Sequence, residues 1–178
     1  MIPMLLLSLL LAQTASPPHD LVTRFYSKYV KLDTSDSFFK GSAKRVLFPF
    51  LTTRLRRVLD DAGACQADWV RQQPKGSTDK PPFVDGFFFS TMPDGLPTSF
   101  TLGPIEALPH GRYRVTVDFV RKEIADLITW RDIVIVAKDG DRFAIDDVVS
   151  DADSSTDGER RLSESFDGCR GRRWIGGL

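Results

Sequence analysis

Residues 128–150 read ITWRDIVIVAKDGDRFAIDDVVS, and their reading decides the fold. Two runs rich in β-branched and aromatic residues flank Asp139-Gly140, a strong signal for a two-residue hairpin. The first run predicts a strand over residues 128–138 and the second a strand over 142–150. Just upstream, residues 112–120 alternate: Val115, Val117 and Phe119 share one face, and Arg114, Thr116 and Asp118 share the other. Residues 98–107 predict a further strand, bent or ended at Gly103-Pro104, with a turn at residues 108–111. These consecutive strands form an antiparallel meander.

Before residue 83 the period is helical. Asp20 stands where an N-cap is wanted, followed by Leu21, Val22, Phe25, Tyr26, Tyr29, Val30 and Leu32 at helical spacing. Residues 34–50 read as a long connection. A second helix is predicted over residues 52–62, broken at Gly63, and a short third one carries Cys65, Trp69 and Val70. Residues 72–82 read as a loop. Downstream of the strands, residues 151–159 are acidic and polar. A short helix is predicted around residues 160–166, then a Gly- and Arg-rich tail. Helices first and strands afterwards point to an α+β domain.

The leading residues, MIPMLLLSLLLA, carry no charged side chain and form too short an apolar run to span a bilayer. Small residues follow them, so residues 1–16 read as a cleaved secretion signal; an uncleaved anchor or a mis-assigned start are the alternatives. The domain proper then covers residues 20–150, and residues 151–178 form a C-terminal extension. The expected location is periplasmic or extracellular, with no stable membrane span after cleavage. The two cysteines, Cys65 and Cys169, invite a disulfide in an exported chain, the alternative being two unpaired thiols.

The chain has 178 residues, of which 42% are hydrophobic and 27% charged, which excludes a disordered or membranous class. Lys plus Arg and Asp plus Glu both number 24, so no net field would hold a polyphosphate, and nucleic acid is not an expected partner. Zero net charge gives little protection against self-association, which leaves a homodimer open.

Four short stretches carry a resemblance: Arg24-Phe25-Tyr26; Pro97-Thr98-Ser99-Phe100 with Leu102-Gly103; Thr129-Trp130-Arg131-Asp132; and residues 142–148, RFAIDDV. In this order the chain resembles an exported bacterial family, domain of unknown function 3828, within the nuclear transport factor 2-like superfamily. The resemblance covers residues 21–150. It implies a cone whose helices fold over a concave sheet, often around a pocket or a dimer face. It implies no single activity, because the scaffold serves isomerases, dehydratases and binding modules alike.

Candidate chemistry centres on carboxylates. With Asp139-Gly140 as the turn, Lys138 faces Asp141, Val134 faces Ile145 and Asp132 faces Asp147. Two carboxylates so placed beside an apolar pocket can be driven to different pKa values, as an acid–base pair requires. The plainer readings are a solvated sheet end, a pair held by Arg131 or Arg112, or a register slipped by one residue. Asp118 near Arg131 reads as an exposed ion pair on the opposite face. Tyr26, Tyr29 and Trp130 would line a pocket in a cone, or serve as ordinary core. Lys44, Arg45, Arg54, Arg56 and Arg57 read as solvated surface, or as a face for an acidic partner. His19 and His110 have no triad or metal-ligand spacing, and the glycines make no phosphate-binding pattern, so no metal or cofactor is expected. The sequence therefore favours a non-catalytic domain that binds a protein or small molecule. Its alternative is a cavity enzyme of the isomerase or dehydratase kind.

Overall fold

A computed structural model describes residues 16–32, 39, 41–83, 89–91, 95–124, 126–150, 160–166 and 168–176. The secretion-signal reading of residues 1–16 lies, but for Ser16, outside the described residues. The architecture is α+β: three helices and a four-stranded antiparallel sheet.

Helix α1 spans Pro17–Tyr29 and buries Leu21, Val22, Phe25, Tyr26 and Tyr29. The helix starts one turn earlier than the sequence suggests. Ser16 is its N-cap residue and the prolines stand at its first positions, where a missing N–H costs nothing. Asp20 is instead a first-turn acid paired with Arg24 at 2.9 Å. Helix α2, Gly41–Leu47, and a 3-10 turn at Phe48–Phe50 occupy the stretch expected to be connection.

Helix α3 runs unbroken over Thr53–Gln72, so Gly63 does not end it. A Cβ at residue 63 would lie 3.0 Å from Cβ and Cγ of Phe39, which is buried there. Gly63 thus serves close approach of a ring to the helix, not termination. The helix N-terminus is capped by Thr52, whose Oγ1 accepts from the Leu55 N–H at 3.1 Å.

The sheet order is β1(Ser99–Leu108), β2(Arg112–Lys122), β3(Leu127–Asp139) and β4(Arg142–Ser150), each antiparallel to its neighbour. The expected bend at Gly103-Pro104 is a β-bulge, where the β1–β2 register shifts between Leu102 and Ile105. The β3–β4 register differs from the one inferred from Asp139-Gly140. Asp139 faces Arg142, so the two-residue turn is Gly140-Asp141, with Gly140 at a φ of 66°. A second shift follows beyond Ile135 and Val136, leaving Asp147 opposite Ile135 and Asp132 opposite Ser150. Asp132 and Asp147 are therefore not cross-strand partners. The sequence signal located the turn to within one residue, but no residue type announced the bulge at Asp146.

Val115, Val117, Phe119, Val134 and Val136 pack with the buried faces of the helices into one core. Burial of this apolar stripe supplies the main stabilisation, about 25 cal/mol per Å² removed from water. The outer edge of β4 is covered: Leu51 bridges Ile145, and Arg161 bridges Val149. The predicted helix near residues 160–166 is only a 3-10 turn, Leu162–Glu164. The tail is a small hairpin, β5(Cys169–Arg170) and β6(Arg173–Trp174). A disulfide joins Cys65 of α3 to Cys169, with 6.0 Å between their Cα atoms. No helix among the described residues is long and apolar enough to cross a membrane.

Candidate functional site

The sheet alternation that turns Val115, Val117 and Phe119 toward the helices also sets the inward face of β3. There Trp130 lies opposite Phe119 and Asp132 opposite Val117. Asp132 is fully buried, and its carboxylate meets Thr91. The Thr91 N–H donates to Asp132 Oδ2 at 2.9 Å, and the Thr91 hydroxyl donates a short bond to Oδ1. On the same segment the Trp130 indole N–H donates to Ser90 Oγ at 3.0 Å, and the Tyr26 hydroxyl donates to the Phe89 carbonyl at 2.9 Å. Four of the five candidate residues, Tyr26, Tyr29, Trp130 and Asp132, thus converge on residues 89–91.

The aromatic rings around this segment are closely packed. Tyr26 lies 5.0 Å from Phe119 and from Phe25, Tyr29 lies 6.1 Å from Phe89, and Phe119 stacks on Trp130 at 5.3 Å. Tyr26, Tyr29, Phe25, Phe89 and Phe119 are all fully or almost fully buried. Burial pushes the Tyr26 and Tyr29 phenols well above the usual range near 10, and the Asp132 charge pushes the same way. For Tyr29 the Phe89 backbone works against this rise. A carboxylate near two phenols has the residue types of acid–base machinery. A general base must come within hydrogen-bond reach of a substrate proton, and these groups are sealed from solvent with Asp132 already engaged.

Asp147, the fifth residue, belongs to a different station. It is 2% exposed and accepts from the Ser163 N–H at 3.1 Å, Ser163 Oγ at 2.6 Å, the Val148 N–H at 3.1 Å and Arg54 Nη2 at 3.3 Å. Its neighbour Asp146 accepts from Thr52 Oγ1 at 2.9 Å and Arg54 Nε at 3.0 Å, while the Asp146 carbonyl takes a short bond from Arg54 Nη2. Burial opposes the Arg54 charge, but the bonds and charges of Asp146 and Asp147 outweigh it and raise its pKa. Asp139 accepts from both the N–H and the hydroxyl of Thr53 at 3.2 Å, with Arg142 and Arg56 beside it. These carboxylates fasten the start of α3 to the turn and bulge of the sheet. Arg54 is exposed and Arg56 half-exposed, in keeping with the solvated reading, while their guanidinium groups also reach these carboxylates. Asp118 does pair with Arg131, at 2.7 Å, on the exposed face; such a pair is worth under about 1 kcal/mol.

The grooves described on the surface lie elsewhere. One of about 490 Å³ is lined by Ala64, Ala67, Asp68, Arg71, Arg172 and Arg173. Another, of about 230 Å³, runs beside the disulfide between Val58, Ala62, Ser163 and Phe166. Among the described residues no group of three or more His, Cys, Asp or Glu side chains is placed to hold a metal ion. The chain matches no family model, no curated protein and no solved structure.

Proposed function

We propose that the chain is an exported, non-catalytic binding or protein-interaction domain. The observation that carries this reading is the sealed state of the tyrosine–carboxylate cluster. Tyr26, Tyr29 and Asp132 are wholly buried, and the Asp132 oxygens accept from Thr91. The cavity-enzyme reading needs those same groups open.

Export rests on the uncharged leading run and on the Cys65–Cys169 disulfide, which persists in oxidising compartments. The nuclear transport factor 2-like cone, and the likeness to the exported family named above, are part of the proposal. Helices preceding an antiparallel meander, with α1 packed on its inward face, support both.

Affinity capture from an envelope fraction, paired with native mass spectrometry of the purified chain, tests the reading. The expected result is a retained protein or ligand that is recovered unchanged, and recovered equally by Asp132→Asn. Recovery of a chemically converted ligand, with conversion abolished by Asp132→Asn, would establish the enzyme instead.

A further inference from the structure

The C-terminal hairpin carries an arrangement that cross-strand electrostatics disfavour. Arg170 lies directly opposite Arg173, and Arg172 sits in the turn beside Gly171. Like charges facing each other across a strand pair are destabilising, and a two-stranded hairpin has little stability of its own. External ties hold it in place. The disulfide joins Cys169 to Cys65, and the Trp174 N–H donates to Asp68 Oδ2 at 3.1 Å.

Those ties hold the hairpin against the second half of α3, where Arg172 and Arg173 form one wall of the 490 Å³ groove. Ala64 and Ala67 place only methyl groups on the facing wall. Arg71 pairs with Asp68 at 2.8 Å and Arg172 with Asp61 at 3.6 Å. Arg170 and Arg173 have no ion pair among the described residues. The groove lining thus holds three guanidinium groups, of Arg71, Arg172 and Arg173, and one carboxylate, Asp68, with Asp61 reaching Arg172 from outside it, in a chain whose net charge is zero.

We propose that this groove docks an acidic segment of a partner protein, whose neighbouring carboxylates supply the counter-charge that the hairpin lacks. The proposal rests on the binding-domain reading and names the chemistry of the partner. Planar guanidinium groups on a hairpin tied to α3 suit bidentate carboxylate recognition. A nucleic acid fits less well, because a chain of zero net charge offers no long-range field to gather a polyphosphate.

The test is fluorescence anisotropy on the full, disulfide-bonded chain with a labelled Glu/Asp peptide of roughly ten residues. Saturable binding that weakens with salt is expected, falling about ten-fold or more in Arg173→Glu. That variant places an opposite charge across from Arg170, so a purely structural role predicts an equal or higher melting temperature and unchanged binding. Lys28→Glu, on the exposed side of α1, changes the net charge equally and is expected to bind as the parent does. Three results would overturn the proposal: no binding, equal loss in Lys28→Glu, or equal competition by an oligonucleotide of matched charge. In the envelope capture, a partner retained by Arg173→Glu as well as by the parent defeats the groove and leaves the binding-domain reading standing. A parent chain that captures nothing defeats both.

Discussion

Asp132 and Asp147 meet the same demand in two places: a buried carboxylate requires donors, and each receives them from a segment that would otherwise lie loose on the sheet. Thr91 fills that role for Asp132, and Ser163 with Arg54 for Asp147. Asp132→Asn keeps the shape but turns one acceptor into a donor facing the Thr91 donors. We expect a loss of about 2 kcal/mol in denaturant unfolding, with partner capture intact. Unchanged stability together with lost capture would contradict the structural role. Both aspartates could be read as chemically loaded from the sequence, because acids in apolar strands are uncommon. Their donors could not. Thr91 follows a run of three phenylalanines and Ser163 lies in a polar stretch, and neither has a periodic signal to tie it to a distant strand.

The strands were legible at the level of elements because alternation reports directly on which face is buried. Val115, Val117 and Phe119 were expected on one face and are all buried in the core. The helical half was less legible. Gly63 reads as a breaker from local propensity, yet α3 passes through it because the Phe39 ring needs the space. Gly63→Ala therefore sets two effects against each other. The helix gains about 1 kcal/mol of propensity, while the new methyl meets the Phe39 Cβ and Cγ at 3.0 Å, close to the backbone where the ring cannot swing away. We expect the clash to win and the melting temperature to fall; a rise would mean that Phe39 moves freely. The β3–β4 register failed for a related reason. Turn chemistry sets the first pairs, but the bulge that moves Asp147 opposite Ile135 is imposed by the fastening of Asp146 to Thr52 and Arg54.

On the scale of the whole molecule, one covalent tie and the main buried core between helices and sheet fix the arrangement. The disulfide closes a sequence separation of 104 residues and holds the tail on α3. Loop-closure entropy gives such a bond about 4 to 5 kcal/mol. Replacing both cysteines by serine should lower unfolding free energy by up to that amount and increase hydrogen exchange across residues 168–176; unaltered exchange there would show that packing alone holds the hairpin. The core is tested more directly by its phenols. Tyr26 and Tyr29 hold their protons more tightly folded than unfolded, so their contribution to stability is complete below pH 10.0 and declines as pH rises beyond it. The deciding measurement is an alkaline titration in a Tyr113→Phe background, following phenolate absorbance and near-ultraviolet circular dichroism together. Phenolate should form only as the folded signal is lost. Phenolate formed at the ordinary pH, with the fold intact, would mean that the cluster opens to solvent, and would remove the observation on which the non-catalytic reading stands.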